Sequence, residues 1–176
     1  MMHDLSGSNL KAAAEQWRLR PLGIPEAHLY DRDTTEPGQK PKYQEAADKV
    51  NSRGDGSFAR ITAKREIENY LHPDAIRDAL EIEVEFGDWD DVGELAAKGV
   101  YERDGGADWG SLDDAKRGKK ISSAKKRLCR DAAAKMTVAR LSGQDPGGEL
   151  EGWLRSVGDL AAGPEPSAAR RQAAGS

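Results

Sequence analysis

The sequence predicts an α/β fold: a partial parallel sheet with helical crossovers, followed by a small helical region. Three features lead there. A strand-like run from Glu26 to Tyr30, a helical pattern from about Lys42 to Asn51 and an alternating run from Phe58 to Thr62 follow one another. Such β-α-β alternation favours parallel strands joined by a crossover. Two aspartates, Asp31 and Asp33, stand directly after the first run, at the strand end where open α/β sheets hold their ligands. Past residue 102 the segments read as loop and helix.

Along the chain, Asp4 to Ser8 reads as a loop capping a helix from about Asn9 to Leu19, with Ala12, Ala13 and Trp17 on its apolar face. Pro21, Gly23 and Pro25 end it. After Asp31-Arg32-Asp33 comes a polar Pro/Gly loop, Thr34 to Pro41, and then the helix with Tyr43, Ala46, Ala47 and Val50 on one side. Arg53-Gly54-Asp55-Gly56 is a turn; its Arg-Gly-Asp tripeptide invites an integrin reading, but turn chemistry accounts for it. Pro73 opens a helix over about Asp74 to Glu81, with His72 in the capping position. Ile82 to Phe86 alternates apolar and charged residues, which fits either a third strand or a continuation of that helix. A short helix near Asp91 to Tyr101 precedes residues 102–118, a loop rich in Gly, Asp and Lys with one short helical stretch. A basic helix from about Ser122 to Arg140 follows, then a break at Gln144 to Gly148. Glu149 to Leu160 is amphipathic, with Leu150, Trp153, Leu154, Val157 and Leu160 forming a stripe best read as a packing face. From Gly163 the composition is that of a disordered tail. Three parts are therefore expected: an α/β domain over 1–101, a helical region over 102–162 and a tail over 163–176.

Composition narrows the function classes. Only 37% of the 176 residues are hydrophobic and 33% are charged, so the core must be lean. The net charge of −4 argues against a globally basic nucleic-acid binder, while leaving room for local basic patches. A single cysteine, Cys129, permits no intramolecular disulfide, and a half-buried packing role is expected for it. The N-terminus lacks the charged and apolar regions of a signal peptide, and no apolar run approaches the roughly 18 residues of a membrane span. A soluble, cytoplasmic protein without membrane partners is the expectation.

The chemistry-bearing residues are acidic. In an extended segment, side chains two apart point the same way, so Asp31 and Asp33 can aim both carboxylates at one point. Hard cations such as Mg²⁺ take oxygen ligands of that kind. Glu66 and Glu68 offer a further carboxylate; were that segment helical, the two would diverge and only one could face the ion. His3, His28 and His72 lack metal-ligand spacing, and His28 is expected to pack or hydrogen-bond. No arrangement of Ser, His and Asp or of Cys and His suggests a covalent nucleophile.

The Asp31-Arg32-Asp33 sequence after a strand, followed by Lys64-Arg65-Glu66-Ile67-Glu68-Asn69-Tyr70-Leu71, resembles the TOPRIM nuclease region of OLD-family ATP-dependent endonucleases and related modules that accompany ABC-type ATPases in phage defence. The resemblance spans roughly residues 5 to 100. It implies a TOPRIM-like, Rossmann-like sheet and Mg²⁺- or Mn²⁺-dependent hydrolysis of DNA. Asp31 and Asp33 would be metal ligands, and Glu68 a further ligand or catalytic carboxylate, with Glu66 as its alternative. Asn69 or Arg65 would support them.

In TOPRIM proteins a first strand with its own glutamate precedes the Asp-x-Asp strand, and the 30 residues ahead of Asp31 hold no such pattern. Nor is there a phosphate-binding G-x-x-x-x-G-K-[ST] loop. The sequence thus resembles the C-terminal part of a larger nuclease, and DNA, an ABC-type ATPase domain or subunit, and a second copy forming a homodimer are its expected partners. Lys125, Lys126 and Arg130 on the basic helix are candidate DNA contacts, and Lys125 or Lys126 is the candidate basic residue near the cleavage centre. The competing expectation is a non-catalytic remnant or accessory module that binds an ATPase partner or DNA.

Overall fold

The structure is a computed structural model that describes residues 22–162. The helix expected near 9–19 and the tail from 163 lie outside the described residues. In chain order the elements are β1 (Ala27–Tyr30), α1 (Gln44–Asn51), β2 (Phe58–Ile61), α2 (Pro73–Leu80), α3 (Val92–Arg103), α4 (Asp114–Arg127), α5 (Val138–Gln144) and α6 (Glu149–Ala162). Short 3₁₀ turns occupy Ile67–Tyr70, Trp109–Ser111 and Ala133–Lys135, and a π turn occupies Leu128–Ala132.

The described residues are mixed α/β, with β1 and β2 forming a two-stranded parallel sheet. The register follows from two bonds of equal offset: Phe58 N donates to Glu26 O (2.9 Å) and Thr62 N to Tyr30 O (3.0 Å). α1 is the crossover, as the β-α-β pattern predicts.

Two compact units divide these residues. The first takes residues 22–29, 45–60 and 149–162. α1 buries Ala47 and Val50, and its last residue, Asn51, clasps the backbone of Ala59 with both side-chain atoms (2.8 and 3.3 Å). The turn after α1 uses left-handed glycines at 54 and 56, and Asp55 accepts a bond from Ser57 N (2.9 Å). Arg53 is ion-paired to Glu26 at 2.8 Å with its side chain only 3% exposed, so the Arg-Gly-Asp tripeptide is a structural turn. His28 also bonds Glu26 (2.9 Å), the hydrogen-bonding role expected of it. Of the stripe on α6, Trp153 is buried but Leu154 and Val157 are exposed, so the expected packing face is covered only in part.

The second unit takes residues 30–44 and 61–148, and it runs across residues 101 and 102 without a break. α2 starts as its sequence dictates: Pro73 fills the first position and His72 Nδ1 accepts from Asp74 N (3.1 Å). It stops at Glu81, which adopts a left-handed conformation (φ 56°). That reversal prevents the helix from continuing through Ile82–Phe86, and no strand lies beside the segment among the described residues. Ile82–Phe86 is therefore irregular, and its alternation reflects Ile82 turning into the core while Glu83 and Glu85 stay exposed.

α3 is capped by Asp91, which accepts from Glu94 N (2.8 Å), and α4 by Asp113, which accepts from Lys116 N (2.8 Å). α4 begins well before Ser122, because Asp113 and Asp114 suit a helix N-terminus better than the loop expected there. It widens into the π turn and breaks at Met136, so the long basic helix is in fact α4, two short turns and α5. Cys129 faces out of the π turn while Leu128 and Ala132 face in; the thiol is exposed, against the half-buried role expected. Ile76, Leu80, Val92, Ala96 and Leu128 are fully buried where α2, α3 and α4 pack. Each buried Ile or Leu contributes about 1.5–3 kcal/mol. Gly93, Ala96 and Ala97 on α3 and Ala124 on α4 keep the two helices close.

Candidate acidic centre

The carboxyl end of β1 leads directly into the centre. Asp31 Oδ1 accepts a hydrogen bond from Ile67 N (2.9 Å), which joins the strand end to the 3₁₀ turn. Thr62, fully buried, receives Arg32 N on its hydroxyl (2.8 Å) and donates to Lys64 O (2.7 Å), so β2 enters the same region under tight control.

Asp31 and Asp33 take different partners, and the extended geometry expected to align them does not hold at residue 33. Asp33 has φ 55°, a left-handed conformation in which the alternation of an extended strand no longer holds. Its N donates to Arg65 O (2.8 Å) and its carboxylate is ion-paired with Lys42. The two aspartates therefore serve different partners.

Glu66 and Glu68 do come together. Glu66 has extended dihedrals and caps the Ile67–Tyr70 turn, so the divergence expected of a helical pair does not arise. Both side chains are buried, at 6% and 5% exposure. Asn69, 1% exposed, holds this turn in place: its Oδ1 accepts from Glu66 N (3.0 Å), and its Nδ2 donates to Gly87 O (2.8 Å) and Asp90 O (3.1 Å). Arg65 pairs with Asp91 (3.0 Å) and reaches Trp89 O (3.3 Å).

Lys125, on α4, is turned inward, and its ammonium lies 2.8 Å from Glu66 Oε1. Its stem crosses α3 at Gly93, where a Cβ would sit 2.5 Å from Lys125 Cε and 2.8 Å from Cγ. The other two candidate DNA contacts behave differently: Lys126 is exposed, and Arg130 is bound by Asp131 through two bonds (2.6 and 3.0 Å).

The electrostatics follow from burial. Glu68 is pushed up to about 7, chiefly by burial, with Lys125 opposing and the neighbouring Glu66 and Asp31 adding to the rise. Glu66 is raised by burial against the pull of Lys125, and Asp31 by burial against the bond from Ile67 N. For Lys125, burial pulls the pKa down, but Glu66, Glu68 and Asp91 outweigh it and hold the ammonium above its ordinary value. Glu66 Oε2 and Glu68 Oε2 are buried without a hydrogen-bond partner among the described residues. Buried carboxylate oxygens without a donor are costly, and a cation is the partner such oxygens accept. Among the described residues, no three His, Cys, Asp or Glu side chains already converge as ligands of one ion.

Sequence reasoning missed Gly93 and Asp91. Gly93, Ala96 and Ala97 fall at positions i, i+3 and i+4 of a helix, a spacing of small residues that signals close approach of another element. No protein-family model, no curated protein and no solved structure matches the chain.

Proposed function

We propose that the acidic centre serves metal-dependent hydrolysis of DNA phosphodiesters, in a TOPRIM-like endonuclease domain of the OLD type that works with an ABC-type ATPase domain or subunit. The observation that carries this reading is the pair of unpartnered buried oxygens, Glu66 Oε2 and Glu68 Oε2, near Asp31 at the carboxyl end of a parallel strand. Oxygen donors of this charge suit a hard divalent cation, Mg²⁺ or Mn²⁺, which Asp31, Glu66 and Glu68 would hold. Such a cation, when bound, polarises the phosphodiester and eases deprotonation of the attacking water.

The chain's own residues supply the rest. Ile67 N–H orients Asp31, and Asn69 fixes the backbone that carries Glu66. Lys125 offsets part of the negative charge of Glu66 and Glu68. Glu68, titrating at about 7 in the free protein, exchanges a proton in the range where a carboxyl acts as general acid or base. Asp33, held by Lys42, has no direct part in this arrangement.

Calorimetric titration with Mg²⁺ and Mn²⁺, run beside plasmid nicking, tests the reading. Wild type should bind and nick; Asp31→Ala and the Glu66→Gln/Glu68→Gln double variant should do neither. The ion pair between Lys125 and Glu66 favours one other reading, a non-catalytic module whose acidic centre is neutralised internally. Absence of cation binding in wild type, with a fold as stable in EDTA as in Mg²⁺, would select that module.

A further inference from the structure

We infer that the cleft between α3 and α4 binds the phosphodiester backbone of nucleic acid through Lys120, Ser123 and Arg127. The inference rests on DNA as the substrate of the acidic centre, but the cleft is lined by different residues. It encloses about 540 Å³, and Tyr101, Asp104, Gly105 and Gly106 form its other wall.

Lys120 is positioned without an ion pair among the described residues, and Arg127 is only loosely paired. Lys120 Nζ lies 4.6 Å from the centroid of the Tyr101 ring and makes no ion pair among the described residues. The ring itself is fixed against Gly106, where a Cβ would collide with it. Arg127 makes only a long bond to Ala79 O (3.5 Å) and a loose ion pair with Asp131 (3.8 Å). A guanidinium has five N–H donors, so most of those of Arg127 stay available for phosphate oxygens. Asp104, which would repel an anion, is held by Arg103 through two bonds (2.9 and 2.7 Å). Ser123 is exposed between the two cations, and spacings of three and four residues put Lys120, Ser123 and Arg127 on one stripe of α4.

The charge extends beyond the cleft. Lys119 and Lys126 flank it, exposed and without an ion pair among the described residues. From Asp113 to Asp131 the chain has eight Lys and Arg against three Asp, although its net charge is −4. Lys116, Arg117, Lys125 and Arg130 are ion-paired with Asp113, Asp114, Glu66 and Asp131, which leaves Lys119, Lys120, Lys126 and the loosely paired Arg127. Cations spread over more than two turns of chain fit a repeating polyanion better than a single nucleotide. Lys125 is spent on Glu66 and Arg130 on Asp131, so the candidate DNA contacts move along the helix to Lys120, Ser123 and Arg127.

The test is fluorescence anisotropy with a labelled duplex of about 20 base pairs, in EDTA, between about 50 and 200 mM salt. Wild type should bind with steep salt dependence. Lys120→Gln/Arg127→Gln should lose about tenfold in affinity, with the slope of log K against log salt reduced by about 2. Ser123→Glu, on an exposed face where folding is undisturbed, should weaken binding in the same direction, and Arg127→Lys should retain most of it. Wild-type binding by the double variant and by Ser123→Glu would overturn the inference. So would displacement of the duplex by AMP at equal phosphate concentration, which would make the cleft a mononucleotide site. EDTA keeps the two questions apart. Loss of nicking in an Asp31→Ala protein that still binds DNA concerns only the acidic centre, and nicking by a protein with a neutralised cleft concerns only the cleft.

Discussion

Lys125 reaches Glu66 across a glycine: the 2.8 Å ion pair between them exists because residue 93 carries no side chain where the lysine stem crosses α3. An acidic cluster brought together by the 3₁₀ turn is thereby joined to a cation from a helix far along the chain.

Gly93→Ala should therefore do more than fill space. The new methyl meets Cγ as well as Cε of Lys125, and moving Cγ takes a change of the first side-chain torsion, which swings the ammonium away from Glu66. The cost should be about 1–3 kcal/mol, as for other overpacked cores, and Glu66 should lose its countercharge. Urea denaturation of Gly93→Ala beside Lys125→Met measures both effects. If the glycine acts through the lysine, the double variant should be less destabilised than the sum of the two single changes.

Glu68 sets a pH dependence whose sign is fixed by its raised pKa. In the folded protein it titrates at about 7, against an ordinary value of 4.5. Between those values the folded state holds a proton that the unfolded state has lost, so this group's contribution to stability falls as pH rises from 4.5 to 7. The slope approaches ~1.4 kcal/mol per pH unit for one proton. Glu68→Gln should flatten that part of the curve and be the more stable protein above pH 7. A wild-type curve that rises through this window, with no difference from Glu68→Gln, would contradict the assignment.

Asp31 and Asp33 should separate experimentally. Asp33→Ala breaks an exposed pair with Lys42, worth about 0–1 kcal/mol, and puts alanine into a left-handed conformation, at about 1–2 kcal/mol. Asp33→Gly should recover most of that strain. Neither change should weaken Mg²⁺ or Mn²⁺ binding, whereas Asp31→Ala should abolish it. Equal loss of binding from both positions would restore the paired-aspartate site.

Asn69→Ala should be among the most damaging single changes in the second unit. It removes three hydrogen bonds from a residue 1% exposed and leaves Glu66 N, Gly87 O and Asp90 O without that partner. A loss on the order of 3 kcal/mol is expected, since each buried unsatisfied group costs about 1–3 kcal/mol. Thermal and urea unfolding would measure it. Amide exchange should show the 66–71 turn opening more often than α3.

The residues of the centre were legible one by one, and their grouping was less so. Asp31 stands out because it follows a short apolar run, Glu66 and Glu68 because of the resemblance that their segment carries, and Lys125 because it lies in a basic helix. That helix hid the lysine's direction: periodicity gives which residues share a face, but not which face a neighbouring glycine will admit. Asp33 misled for a local reason. The extended alternation that aligns residues 31 and 33 fails once residue 33 turns left-handed, and Asp is one of the few residues that tolerates this conformation. Ile82 to Phe86 misled for the same kind of reason, since a left-handed Glu81 ends α2 and no neighbouring strand takes up the alternating segment.

By itself the sequence determined what depends on near neighbours: the β-α-β order, the cap at His72, the glycine turn after α1 and the break around Asp145. Each rests on dihedral preferences or hydrogen bonds within a few residues. Tertiary structure alone decided the rest. Burial raised Glu68 to about 7, and packing of α3 against α4 sent Lys125 inward. The same packing left Lys120 and Arg127 facing a cleft. Burial and charge pairing depend on atoms brought close from distant parts of the chain, and only the folded core brings them there.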